Sequence, residues 1–166
     1  MRSPAITGRI AKCRRYPALP RVSGLLEWSE HPKPPRRQPL KFAHTCYRIL
    51  DLDRSLDFYT NKIGLEYTRK SPIGNDATNA FLSVPGDDEP RLELTLNHDR
   101  DEPYPLGEGY SHIAFLVEDL DSTARQLQEA GGVDFESEPH AMGNSGTRIF
   151  FVRDPDGYRI EFIERG

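Results

Sequence analysis

The sequence predicts an α+β domain in which two tandem βαβββ modules form a curved mixed sheet. Three observations predict it. Runs of alternating apolar and polar residues recur between Gly, Pro and Asp turns from Lys41 onward. Two Asp-Leu-Asp segments, at 51–53 and 119–121, each introduce a stretch of helical spacing. The second half repeats the first at a fixed offset of 68 residues.

The chain has 166 residues, enough for one domain of ordinary size. Residues 1–40 hold nine Lys and Arg against two acids, and seven of the 14 prolines. Pro32, Pro34, Pro35 and Pro39 forbid a regular helix or central strand there. This stretch reads as a basic, poorly ordered arm, distinct from a domain at 41–166. An Arg-rich, acid-poor start is also compatible with organelle targeting, and a basic arm with nucleic acid or an acidic partner; a solvated tail is the simplest reading. The remaining 126 residues carry a balance of −11. No apolar run is long enough for a transmembrane helix. Two cysteines, Cys13 and Cys46, cannot build a disulfide scaffold, which points to a reducing, cytoplasmic setting. Neither a membrane nor a nucleic-acid partner is expected.

The first module, 41–97, opens with a strand over Phe42–Leu50. A helix follows from Asp51, carried by Leu52, Leu56, Phe58 and Tyr59 and closed by Gly64. Strands are predicted at Leu65–Arg69, Ala80–Val84 and Arg91–Leu96. After a polar connection the second module, 109–166, restarts with a strand over Tyr110–Val117. A helix runs from Asp119 to Gly131-Gly132, and strands follow near Val133–Glu136, Thr147–Val152 and Tyr158–Ile163. In the ungapped superposition Phe42 meets Tyr110, Tyr47 meets Phe115, Gly64 meets Gly132 and Val84 meets Val152. Neither module can bury its sheet face well alone, so the two should pack together.

Two aligned pairs are identical and able to bind metal: His44 with His112, and Glu93 with Glu161. Each His precedes its Glu by 49 residues. Side chains alternate along a strand. Leu92, Leu94 and Leu96 therefore form one face, with Glu93, Thr95 and Asn97 opposite. Ile113, Phe115 and Val117 lie opposite His112, and Ile160 and Phe162 opposite Glu161. His44, Cys46 and Arg48 share a face. All four candidate ligands thus point away from the apolar side and could converge inside a curved sheet. Two imidazoles and two carboxylates suit a divalent cation such as Ni, Co or Zn, with room for a catalytic site. Cys46 reads as a small apolar filler rather than a soft ligand. His98 and His140 fall in predicted loops, and Gly143–Gly146 in a flexible connection.

At these residues the sequence resembles glyoxalase I (lactoylglutathione lyase), within the vicinal oxygen chelate superfamily. The resemblance is carried by His44-Thr45-Cys46-Tyr47-Arg48, Asp51 to Thr60, Leu92-Glu93-Leu94-Thr95-Leu96-Asn97, Gly109 to Ala114 and Asp154-Pro155-Asp156-Gly157-Tyr158-Arg159-Ile160-Glu161. It implies a glyoxalase/bleomycin-resistance-like fold and one metal held by His44, Glu93, His112 and Glu161. The short Glu93–His112 interval resembles the nickel- or cobalt-activated bacterial subgroup, so Ni is favoured, with Zn or Co as alternatives. The implied reaction isomerises the hemithioacetal of methylglyoxal and a thiol, usually glutathione, to the S-lactoyl thioester through an enediolate. Glu161 matches the principal base, with Glu93 on the other side of the metal. Arg48 and Asn97 match positions holding the glutamyl end of glutathione. Homodimers with sites shared between chains are the family habit. Two departures stand out. Glu108 and the Gly143 region occupy places where a basic residue often meets the glycyl carboxylate, and no Lys or Arg lies between Arg125 and Arg148, so another thiol could serve. An epimerase, a thiol transferase or a metal-free ligand-sequestering module of the same fold are the competing readings.

Overall fold

The structure is a computed structural model, and it describes residues 39–166. The arm reading of residues 1–40 lies, apart from Pro39 and Leu40, outside the described residues. Lys41–Gly166 forms one compact unit. Its first half runs β1 (Thr45–Ile49), α1 (Leu52–Asp57), β2 (Glu66–Ile73), β3 (Ala77–Ser83) and β4 (Leu92–Asn97). The second runs β5 (Ile113–Leu116), α2 (Leu120–Ala130), β6 (Asp134–Phe135), β7 (His140–Ala141), β8 (Arg148–Arg153) and β9 (Arg159–Glu164).

Each half keeps its own sheet. The first has the order β1-β4-β3-β2; the second has β5-β9-β8-β6, with β7 also on β8. The first strand of each half pairs in parallel with the last, and the other ladders are antiparallel. The helices start alike. Asp51 accepts a hydrogen bond from the Arg54 amide at 2.9 Å, and Asp119 one from the Ser122 amide at 2.7 Å. These side chains satisfy amides that have no partner within a first helical turn. The first helix then widens into a π-helical segment, Phe58–Lys62, which buries Phe58 and Tyr59, and Gly64 takes the chain out at φ 90°.

The register refines the repeat. Thr45 opposes Leu92 as Ile113 opposes Ile160, an offset of 68. In the third ladder, however, Leu82 opposes Leu92 while Val152 opposes Ile160. Val152 therefore corresponds to Leu82, not Val84. Counted between equivalent positions, the connection from β3 to β4 (Leu82 to Leu92) is two residues longer than that from β8 to β9 (Val152 to Ile160). A shift of two preserves strand parity, so no side chain changes face. His140, expected in a loop, lies in the short strand β7, and Gly143–Gly146 is the plain hairpin connection from β7 to β8.

One core joins the halves. Tyr47, Ile49, Leu82 and Leu94 from the first pack in the same cluster as Leu120, Phe150, Val152 and Ile160 from the second. Burying each large side chain is worth about 1.5–3 kcal/mol. Polar contacts fix the junction. Asp156 accepts from the Leu50 amide (3.1 Å), Arg54 and Ser55. Tyr59 donates to the buried Asp154 at 2.8 Å. Burial pushes the Asp154 carboxyl up to about 6 despite the bonds it accepts.

Candidate metal centre

The sequence-predicted ligands meet in pairs. His44 Nε2 lies 2.9 Å from Glu93 Oε2, and His112 Nε2 lies 2.9 Å from Glu161 Oε2. The ladders explain the pairing: Cys46 opposes Glu93 and Ala114 opposes Glu161, so each Glu comes from the strand beside its His. Both carboxylates are buried, and both imidazoles remain partly exposed. An aromatic ring holds each imidazole edge-on: Phe81 beside His44, Phe151 beside His112. Among the described residues no three His, Cys, Asp or Glu side chains gather in one place. The chain by itself therefore brings together two pairs rather than all four donors in one curved sheet.

The donor chemistry fits a divalent cation. Two ligand atoms each about 2.0–2.2 Å from one metal, at a right angle, lie about 3 Å apart. Each pair already has that spacing. Both histidines present Nε2, and Ser111 Oγ lies 2.8 Å from His112 Nδ1, the outer contact that orients a ligating ring. Ser111 is in turn within 3.4 Å of Arg159, whose guanidinium Glu136 holds and whose plane lies over Phe151.

The other predicted residues fall beside the first pair. Arg48 Nη1 donates to Asn97 Oδ1 at 3.0 Å, leaving the rest of the guanidinium and the amide nitrogen available to a ligand. The pair occupies the end of the β1–β4 ladder, beyond Cys46 and Glu93. Arg48 and Cys46 also line a cavity of about 310 Å³ with Tyr104, Tyr110, Tyr158 and Arg159. Cys46, expected as a small apolar filler, is instead exposed and lies 3.2 Å from the Thr95 hydroxyl; partial desolvation pushes its thiol above the usual range. His98 is held locally by Thr78 (2.9 Å) and the Asn75 carbonyl (2.9 Å), and His140 by the Glu138 carbonyl.

Sequence reasoning missed three contributors. Phe81 and Phe151 sit outside an ungapped repeat, because they correspond at an offset of 70; allowing one two-residue gap would have aligned them. Asn79, which donates to Glu93 Oε1 at 2.8 Å, gave no signal, since its partner depends on the β3–β4 register.

The Glyoxalase/Bleomycin resistance protein/Dioxygenase superfamily matches residues 41–162. The chain belongs to this superfamily. It is similar to a probable lactoylglutathione lyase of Synechocystis, 43% identical over 124 residues, covering 73% of this chain and 92% of the relative. It is also similar to a lactoylglutathione lyase of Arabidopsis thaliana, 36% identical over 147 residues, covering 87% of this chain and 49% of that protein. Among solved structures, glyoxalase I from Zea mays matches with a TM-score of 0.69 at 34% identity, covering 76% of this chain and 45% of that one. The chain spans about half the length, or less, of the plant relatives it matches. Among the described residues no helix is long and apolar enough to cross a membrane.

Proposed function

We propose that this chain is a metal-dependent lactoylglutathione lyase. It isomerises the hemithioacetal of methylglyoxal and a glutathione-type thiol to the S-lactoyl thioester. One observation carries the reading: the two sheets present the same His–Glu pair, each with donor atoms 2.9 Å apart. His44, Glu93, His112 and Glu161 are the ligand set, and nickel is favoured over zinc or cobalt. Since no three donors gather among the described residues, a homodimer completes the site, the first pair of one copy facing the second pair of the other. Two features support this. β1 and β5 are both edge strands. Phe42, Tyr110 and Leu116 lie exposed beside or within them, where apolar surface calls for a partner.

A divalent cation held there would polarise the substrate's vicinal oxygens and acidify the carbon-bound proton. The rest is done by the chain. Glu161 takes the proton from the carbon bearing sulfur and returns it to the adjacent carbon. One C–H bond breaks and another forms, the hydroxyl proton passes from the oxygen on the sulfur-bearing carbon to the adjacent oxygen, and no outside oxidant or reductant is needed. The buried carboxylate beside a half-exposed imidazole is shielded from bulk water, which favours such transfer. Arg48 and Asn97 bind the charged glutamyl end of the thiol. The absence of Lys and Arg between Arg125 and Arg148 leaves the other end less specified, so thiols lacking a glycyl carboxylate should also serve.

The test pairs metal analysis with an assay on methylglyoxal plus glutathione. Glu161→Gln is expected to lower turnover by roughly 10²–10⁴-fold. Unchanged turnover in that variant would remove Glu161 as the base.

A further inference from the structure

The two glutamates sit in unlike surroundings. Asn79 Nδ2 donates to Glu93 Oε1 at 2.8 Å. The Thr95 hydroxyl lies 3.0 Å from the same oxygen and 3.1 Å from Asn79 Oδ1, so its single proton serves one or the other. Cys46 Sγ, on the next strand, is 3.2 Å from Thr95 Oγ1. Asn79, Glu93 and Thr95 are all buried. The carboxylate is thus gripped on one oxygen, while its other oxygen faces His44.

The second half has the same backbone without the grip. Cys46 corresponds to Ala114, which opposes Glu161 as Cys46 opposes Glu93. Thr95 corresponds to Ile163. Asn79, which opposes Thr95, corresponds to Ile149, which opposes Ile163. Three polar positions have become three apolar ones. Among the described residues Glu161 has only its contact with His112; Arg159, two positions along the strand, is engaged by Glu136.

We propose that Asn79 and Thr95 are positioning residues that divide the labour between the glutamates. They hold Glu93 in one orientation, as a fixed ligand. Glu161, whose register neighbours Ala114, Phe151, Ile149 and Ile163 offer no side-chain hydrogen bond, is the carboxylate free to rotate and carry the proton. Outer hydrogen bonds fix and tune ligands in this way, and charge-assisted bonds to a buried carboxylate are the strong ones. This inference rests on the proposed function and deepens it.

The experiment uses the full chain carrying Asn79→Leu and Thr95→Val, near-isosteric changes that remove the side-chain hydrogen-bonding groups. Metal-free protein is titrated with Co²⁺, followed by its visible absorption, and turnover is measured with and without Glu161→Gln. Releasing Glu93 is expected to change the cobalt spectrum and weaken binding by about tenfold. It is also expected to let Glu161→Gln keep about tenfold more turnover than in the otherwise native chain, because a freed Glu93 can take the proton. Thr95→Ser, which keeps the hydroxyl, should restore the native spectrum. Should the double variant fail to fold by circular dichroism, the reverse graft decides: Ile149→Asn with Ile163→Thr builds the grip on Glu161 and should lower turnover by about tenfold with cobalt still bound. A folded double variant with native cobalt spectrum, affinity and Glu161→Gln residue of activity overturns the inference, as does a graft of full activity. A native chain that neither binds cobalt nor turns over sinks the functional reading instead.

Discussion

The two halves agree where a cation would be held and differ almost everywhere else around it. Each sheet supplies one imidazole and one carboxylate at the same spacing, and each backs the imidazole with a phenylalanine. Behind the carboxylate, one half is polar and the other aliphatic. The turn before the last strand differs too. In the second half it carries the buried Asp154; the position 68 residues earlier is Gly86, in the longer loop after β3. The repeat has kept the His–Glu pair and its phenylalanine while the positions behind the carboxylate diverged.

The comparison can be broken most severely at the histidines. If both halves feed one cation, His44→Gln and His112→Gln should each remove most bound metal and nearly all turnover, to a similar extent. Elemental analysis of the purified variants checks this. Metal retained fully by one variant and lost by the other would mean the pairs do not serve a common ion.

The buried carboxylate of the second turn is the next handle. Its native value of about 6 exceeds the ordinary 3.8, so the folded chain holds this proton more tightly than the unfolded one. Stability from this group is therefore greatest below about pH 4, falls as pH rises through the window between those two values, and levels off above it. The loss is on the order of 3 kcal/mol. Asp154→Asn can still accept from the turn amides and meet the Tyr59 hydroxyl. It is expected to flatten that segment of the stability–pH curve, which urea unfolding at pH 4 and pH 7 for both proteins would reveal.

A smaller effect comes from making the first half more like the second. Tyr47 stands where the second half has Phe115. Its ring stacks on Tyr158 at 3.9 Å, but among the described residues its buried hydroxyl, on the side of Tyr110, meets no partner with hydrogen-bond geometry. Tyr47→Phe keeps the stack and removes the orphan oxygen, so the variant should be neutral or stabilised by about 1 kcal/mol. A denaturation midpoint lowered by the change would show that the hydroxyl is satisfied after all.

Much of this was legible in the chain itself. Asp51 and Asp119 announced both helices, and the offset of 68 with strand parity put His44 and Glu93 on one face, and His112 and Glu161 on one face. The widened segment after α1 was not legible, because Phe58 to Lys62 has ordinary helical spacing and only packing of Phe58 and Tyr59 selects the wider turn. The two-residue slip between β3 and β8 was hidden because it leaves parity intact. Nor could self-similarity reveal that the four candidate ligands meet as two pairs: a repeat equates the halves without saying which way they face. Asn79 illustrates the last gap, since a buried amide is assigned a partner by cross-strand register, not by its own position.

The phenol of Tyr158 has a further consequence. It takes the Arg48 amide and donates to the Arg48 carbonyl, both at 3.2 Å, so the second half grips the backbone of a first-half residue that the proposed function assigns to the thiol. Any strain that tilts the turn before the last strand reaches the guanidinium through a single aromatic lever. On the proposed function, a substitution in that turn would weaken thiol binding while leaving both His–Glu pairs as they are.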